Sequence, residues 1–260
     1  MVTAYDVAGA YFADRAGVDI LLVGDSLANV MLGHRDTLHL TIGDMVRHVE
    51  AVASVSPRAH VVADLPWPTY HEGRNEAVRA GAALVRAGAQ SVKLEGGAKR
   101  TDVVRALLDA EIPVMGHLGL TPQSVLTMGG YRVQAKSEEA ARLLVEDARH
   151  LESLGVYSLV LEGVPASVGT LVTATLDIPT IGIGAGPDTD GQVLVFHDIL
   201  GLSLGPTAKF VRRYAELGEA MTEALARYAD DVRSGSFPTL AESYEIDPDE
   251  PSATSSGRTG

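Results

Sequence analysis

Short apolar runs alternate with helical patterns from one end of the chain to the other. Eight runs stand out: Val2-Thr3-Ala4-Tyr5, Ile20-Leu21-Leu22-Val23, His60-Val61-Val62-Ala63, Ser91-Val92-Lys93-Leu94, Pro113-Val114-Met115-Gly116, Ser158-Leu159-Val160-Leu161, Pro179-Thr180-Ile181-Gly182-Ile183 and Val193-Leu194-Val195-Phe196. Runs this short, rich in β-branched residues and apolar on both sides, are the pattern of parallel strands covered on both faces. Between them lie amphipathic segments such as Glu76 to Arg86, Thr101 to Ala110 and Glu138 to Leu154, and several strands follow an Ala/Gly helix ending, as at Arg86-Ala87-Gly88-Ala89. Eight strands with helices between them predict an α/β fold, a (β/α)8 TIM barrel; the rival arrangement is a doubly wound open sheet. The connection from His117 to the next helix at Ser137 is long and contains Gly129-Gly130, which predicts either a lid or a packed loop. Thr207 to Arg233 reads as one or two helices. Residues 1–246 are therefore expected to form a single barrel domain with its C-terminal helices. The segment 247–260, acidic and then Ser/Thr/Gly-rich, is expected to be a disordered tail.

Composition narrows the function. The 260 residues carry 21 Lys+Arg against 34 Asp+Glu, a net charge of −13, which argues against binding a phosphate backbone. With no cysteine there is no disulfide, thiolate nucleophile or Cys-based metal site. No apolar run reaches the roughly 18 residues of a membrane span, and no basic stretch followed by an apolar one opens the chain. A cytoplasmic protein is the expectation.

Catalytic residues of a barrel sit at the C-terminal ends of its strands. Here strand 2 ends in Gly24-Asp25-Ser26, strand 3 in Ala63-Asp64-Leu65-Pro66, strand 5 in Gly116-His117 and strand 6 in Leu161-Glu162-Gly163, while strand 4 carries Lys93 and Glu95 on one face. Five consecutive strands thus put ionisable groups on one rim. Asp25, Asp64 and Glu95 are hard oxygen donors that would repel one another without a cation between them, which suits Mg²⁺ better than zinc. The competing reading makes these acids helix N-caps, but caps have no reason to converge. Glu162, in an apolar strand, is expected to have a raised pKa and to suit proton abstraction from a weak carbon acid; otherwise it is a structural acid. Lys93 could neutralise a substrate carboxylate, form a Schiff base or pair with Glu95, the first being favoured by the nearby acid. His117 could donate to a substrate oxygen. Gly182-Ile183-Gly184-Ala185-Gly186 has the wrong spacing and context for a dinucleotide site, Asp188-Thr189-Asp190-Gly191 lacks the distal Glu of a calcium loop, and no G-x-S-x-G elbow is present.

Taken in register, Thr3-Ala4-Tyr5-Asp6, Val23-Gly24-Asp25-Ser26-Leu27, Ala63-Asp64-Leu65-Pro66, Val92-Lys93-Leu94-Glu95-Gly96-Gly97, Gly116-His117-Leu118-Gly119-Leu120-Thr121-Pro122-Gln123-Ser124, Gly129-Gly130-Tyr131-Arg132-Val133-Gln134, Leu161-Glu162 and Ile181-Gly182-Ile183-Gly184-Ala185-Gly186 with Asp190-Gly191-Gln192 resemble the ketopantoate hydroxymethyltransferases. The likeness runs from about Val2 to Glu245, and the nonapeptide from Gly116 to Ser124 is its most specific part. It implies a barrel of the phosphoenolpyruvate/pyruvate-type superfamily. It also implies transfer of a hydroxymethyl group from 5,10-methylenetetrahydrofolate to 3-methyl-2-oxobutanoate, giving 2-dehydropantoate on the way to pantothenate and coenzyme A. The implied route is Mg²⁺-assisted enolate formation followed by aldol-type addition. By the same likeness Asp25 and Asp64 hold the metal with Glu95 in or just outside its shell; Asp25, Ser26, Asp64 and Lys93 contact the keto acid; Glu162 accepts the proton; and His117 lies close to the substrate. Relatives are cytoplasmic homo-oligomers, decamers in many bacteria. Two departures stand out. Relatives generally carry a segment before the Thr-Ala-Tyr-Asp motif, and Ala28 and His39 differ from the residues common there. Another Mg²⁺-dependent 2-oxo-acid lyase or mutase would be expected to bring a cysteine loop or phosphate-binding basic residues. A non-catalytic oligomeric barrel would be expected to have a dismantled rim.

Overall fold

The computed structural model describes residues 1–245, so the tail expected over 247–260 lies outside the described residues. Contacts divide the chain into two units, Met1–Ala215 and the part from Glu216 onward, a boundary within the stretch that the sequence reading treats as one domain. The first unit holds eight strands: β1 Val2–Thr3, β2 Ile20–Val23, β3 His60–Asp64, β4 Ser91–Glu95, β5 Val114–Gly119, β6 Ser158–Glu162, β7 Thr180–Ile183 and β8 Gly191–Gln192. They form one parallel sheet in sequential order. The helices between them are α1 Val7–Arg15, α2 Leu27–Val30, α3 Ile42–Ala53, α4 Arg74–Arg86, α5 Thr101–Asp109, α6 Val125–Met128, α7 Glu138–Leu154, α8 Ala166–Thr173 and α9 Phe196–Ile199. The second unit contains α10, Leu217–Ser234, one helix over the stretch where one or two were expected.

Local chemistry accounts for the helix ends. The Asp6 carboxylate caps α1 through Gly9 N at 2.6 Å, Thr41 and Asp44 form a reciprocal capping box on α3, and Gly155 closes α7 in the left-handed conformation. The strand period of two then sorts the side chains. Leu21, Val23, Val61, Ala63, Val92, Leu94, Val114, Leu159 and Leu161 face the helices and join the main core, while Leu22, Val62, Met115, Val160, Ile181 and Val193 fill a second cluster on the inner face. The inner cluster is the floor on which the polar rim stands.

The last strand departs from expectation. Pairing with β7 falls on Gly191 and Gln192, opposite Ile181 and Gly182, rather than on Val193–Phe196. Those two residues carry no apolar signal, so no local pattern marks them as a strand. The chain beyond β8 reaches the first strand through a lone parallel bridge between Val2 and Leu194 and through Thr3 N–H donating to Leu194 O at 3.2 Å. No ladder joins β8 to β1 among the described residues. The eight strands are those of a TIM-type α/β fold, with a seam spanned by this bridge and by Met1 N donating to Gln192 O at 3.1 Å and Phe196 N–H donating to Thr3 Oγ1 at 2.9 Å. β1 is also shorter than its apolar run, because Asp6 turns the chain into α1.

Candidate active site

The rim follows from strand register. β3 and β4 pair with Asp64 opposite Lys93, β4 and β5 with Glu95 opposite His117, and β5 and β6 with His117 opposite Val160 and Gly119 opposite Glu162. Adjacent parallel strands therefore hand Asp64, Glu95 and Glu162 a basic neighbour, and Asp25 none among the described residues. Lys93 Nζ lies 3.0 Å from Asp64 Oδ1, His117 Nδ1 lies 3.5 Å from Glu95 Oε1, and His117 Nε2 lies 3.2 Å from Glu162 Oε2. Gly119 lets the two backbones meet beside Glu162. At φ +93°, a Cβ on it would sit 2.2 Å from Glu162 O, and its absence lets Leu120 N–H reach that carbonyl at 2.7 Å.

Asp25, Ser26, Asp64, Lys93, His117 and Glu162 all open onto one cavity of about 190 Å³, joined by Asn29, Thr37 and the half-exposed Tyr131. A single water needs roughly 10–15 Å³ of such space, so a small organic acid and a hydrated ion both fit. The cavity floor is apolar: Leu22, Val160, Ile183 and Val193. Glu95 is set back from the lining, buried and facing His117. Ser26 accepts or donates a hydrogen bond with Tyr5 Oη at 2.8 Å. Tyr131 brings the long loop after β5 into the site. That loop is structured at its start, as a 3₁₀ turn at Pro122–Ser124 followed by α6.

The electrostatics are those of crowded buried charge. Burial first, and then Asp64 and Glu95, push the Asp25 carboxyl up to about 8. Burial works to lower the Lys93 ammonium, but Asp64, Asp25 and Glu95 outweigh it and hold the amine above its ordinary range. For His117, burial and Lys93 favour the neutral ring, yet Glu162 and Glu95 prevail and raise it to about 9. The 3.3 Å contact between Lys93 Nζ and His117 Nδ1 has hydrogen-bond geometry only when Nδ1 is bare. Imidazolium and that neutral tautomer share one feature, a proton on Nε2 facing Glu162. Glu162 ends an apolar strand, as the sequence reading has it, and His117 of the neighbouring strand stands beside its carboxylate.

The three acids also suit a hard divalent cation. Each has one oxygen fixed by an amide: Asp64 Oδ2 accepts from Asp25 N at 2.9 Å, Glu95 Oε2 from Gln123 N at 2.9 Å, and Asp25 Oδ2 from Gln123 Nε2 at 3.0 Å. The second oxygens of Asp64 and Glu95 are buried without a hydrogen-bonding partner, although Lys93 and His117 stand near them. A divalent ion here would favour the ionised form of Asp25, which burial and the neighbouring acids otherwise disfavour. Among the described residues no three acids or histidines stand close enough to enclose an ion alone. An ion here would complete its shell with water and substrate oxygens, the habit of Mg²⁺.

Gln123 is the residue that sequence reasoning did not single out. It lies in the nonapeptide after β5, but glutamine in a loop carries no catalytic signal, and only the tertiary contacts reveal its reach.

A family model described as ketopantoate hydroxymethyltransferase matches residues 1–240. The chain is 51% identical over 254 residues to a 3-methyl-2-oxobutanoate hydroxymethyltransferase of Koribacter versatilis, covering 97% of this chain and 86% of that one. It is 55% identical over 239 residues to the protein of the same name from Pyrobaculum calidifontis, covering 92% and 90%. Among solved structures it is similar to oxaloacetate acetylhydrolase in complex with 3,3-difluorooxalacetate (TM-score 0.61, 17% identity, 88% of this chain and 80% of that). It is likewise similar to phosphonopyruvate hydrolase in complex with oxalate and Mg²⁺ (TM-score 0.59, 13% identity, 93% and 87%). A third, 2,3-dimethylmalate lyase, is described as a PEP mutase/isocitrate lyase superfamily member (TM-score 0.56, 20% identity, 95% and 86%). At these identities the structural likeness speaks for the fold.

Proposed function

The chain belongs to the ketopantoate hydroxymethyltransferase family, and from that premise we propose that the acid-rich cavity is where it performs the family's reaction. The activity is that of a 3-methyl-2-oxobutanoate hydroxymethyltransferase. The one-carbon donor is 5,10-methylenetetrahydrofolate and the product 2-dehydropantoate, both carried by the family likeness. The fold is read as a (β/α)8 barrel of the phosphoenolpyruvate/pyruvate-type superfamily, a reading supported by the sequential parallel order of the eight strands and by the Val2–Leu194 bridge. The protein acts as a cytoplasmic homo-oligomer, a decamer by the same likeness. No helix among the described residues is long and apolar enough to cross a membrane.

One observation carries the assignment of roles: Asp25, Asp64, Lys93, His117 and Glu162 face a single cavity whose floor is apolar. Asp25 and Asp64, with Glu95 beside them, hold Mg²⁺, which when bound supplies Lewis-acid stabilisation of the charge that builds on the 2-oxo acid's oxygens. Lys93, kept charged by its acidic neighbours, offsets the substrate carboxylate, and Ser26 donates to it. The isopropyl group rests on Leu22, Val160 and Ile183. This places C3 below the rim, where Glu162 removes its proton. His117 Nε2, buried without a hydrogen-bond partner of its own and 3.2 Å from Glu162, is a donor available to stabilise the enolate.

The test is proton NMR of 3-methyl-2-oxobutanoate in D₂O. Exchange at C3 is expected to require Mg²⁺ and to disappear in Glu162→Gln. Exchange that survives without metal, or in that variant, overturns the assignment.

A further inference from the structure

Gln123 ties together four parts of the rim. Its side-chain amide donates to Asp25 Oδ2 and to Leu65 O, each at 3.0 Å, and its carbonyl oxygen accepts from Tyr70 Oη at 2.8 Å. Its backbone N–H, left free by the short 3₁₀ turn it stands in, donates to Glu95 Oε2 at 2.9 Å. The residue is buried, as are Asp25, Glu95, Leu65 and Tyr70. Every hydrogen-bonding group of the side chain is used, so the amide has one orientation. A flipped amide would face Asp25 with an oxygen and Tyr70 Oη with a donor. Arg100 holds the far end: its guanidinium lies over the Tyr70 ring at 5.2 Å, and its Nε–H donates to Glu95 O at 3.3 Å.

We propose that Gln123 is a positioning residue that presets Asp25 and Glu95 for a divalent cation, with Tyr70 locking its amide in the donating orientation. The inference rests on the reading that Asp25, Asp64 and Glu95 hold the metal. Two oxygens of two different acids are fixed by one residue, one through its side chain and one through its main chain. The distance between those acids is thereby set before any ion arrives. Without the side chain, Asp25 loses its amide donor while remaining buried beside Asp64 and Glu95, and its carboxylate is free to rotate. Groups that orient metal ligands in this way are typically worth about 10- to 100-fold in metal affinity.

The test is Mn²⁺ affinity, by calorimetry and by the EPR signal of free Mn²⁺, on the purified full-length protein without substrate. Wild type, Asp64→Asn, Gln123→Met and Tyr70→Phe are compared. Gln123→Met keeps the side chain's length and the backbone N–H, and is expected to weaken Mn²⁺ binding at least 10-fold with an unchanged circular dichroism spectrum. Tyr70→Phe, which removes one of the three contacts that orient the amide, is expected to weaken it about threefold and decides the matter if Gln123→Met does not fold. A folded Gln123→Met that binds Mn²⁺ within twofold of wild type overturns the proposal, as does an unchanged affinity in Tyr70→Phe. A merely structural Gln123 would lower thermal stability and leave Mn²⁺ affinity untouched. Wild type that binds no Mn²⁺, or Asp64→Asn that binds it equally well, sinks the metal reading itself and this proposal with it. Wild-type binding that depends on Asp64 but not on Gln123 sinks this proposal alone.

Discussion

Lys93→Met tests whether the rim is held by charge balance. Lys93 is buried, and no other Lys or Arg among the described residues is. Its Nζ stands 3.0 Å from Asp64 Oδ1, and Asp25 and Glu95 also act on it. With an effective dielectric of about 20, one such contact is worth about 5 kcal/mol of attraction. Several kcal/mol of that only offsets the cost of burying the amine, which the variant no longer bears. What the variant leaves behind is Asp64 buried with its cation gone, and breaking a buried pair in this way costs about 3–5 kcal/mol. The expected loss is therefore about 3 kcal/mol or more, measured by urea unfolding at pH 8 in EDTA. The same accounting makes a second demand. A divalent ion replaces part of the missing positive charge, so Mg²⁺ should stabilise Lys93→Met more than wild type, by at least about 1 kcal/mol at 10 mM. A loss below about 1 kcal/mol in EDTA, or equal stabilisation of both proteins by Mg²⁺, would refute the charge-balance argument.

Two further expectations concern the floor and the histidine. Val160 sits one inward position below Glu162 on β6 and lines the cavity floor. Val160→Ala should therefore raise kcat/KM for 3-methyl-2-oxopentanoate relative to 3-methyl-2-oxobutanoate about 10-fold, the usual value of about one methylene in an apolar pocket. A ratio within twofold of wild type counts against the floor as the size gauge. His117 has its folded-state pKa raised from 6.5 to about 9. Its contribution to stability is thus full below pH 6.5 and lost as pH rises toward 9. Metal-free protein should lose stability over that interval, and His117→Gln should flatten the loss; parallel profiles for the two proteins would contradict it.

Much of this site was legible because position and chemistry coincide in a parallel α/β fold. Each apolar run marks a strand, its end marks the rim, and the residues at the ends of five runs include every acid and base now found together. What was not legible depends on register and on tertiary approach. That His117 would partner Glu162 follows from Gly119, not His117, standing opposite Glu162, and the offset between β5 and β6 is written in no local pattern. β8 was misplaced because pairing falls on Gly191 and Gln192, while the apolar residues beyond them, Val193 to Val195, belong to the cavity wall. Gln123 was invisible for a related reason. Its role comes from contacts with residues 28 to 98 positions away in sequence, and its own neighbourhood, Thr-Pro-Gln-Ser, reads only as a turn.

These cases share a physical cause that bears on how the rim is built. A charged group at a strand end announces itself by breaking an apolar run, so composition alone finds it. A neutral polar group that satisfies such charges breaks nothing, because it is itself satisfied and buried at no cost visible in the pattern. The acids of this rim need donors as much as they need a cation: Asp25 N, Gln123 N and Gln123 Nε2 each fix one carboxylate oxygen, and the oxygens they leave are those near Lys93 and His117 or free for an ion. Turning the Asp64 or Glu95 carboxylate out of its present plane would draw one oxygen from its amide donor and the other from its basic neighbour together. The amide donors therefore decide which oxygens remain for chemistry, while the charges decide only how strongly those oxygens seek a partner.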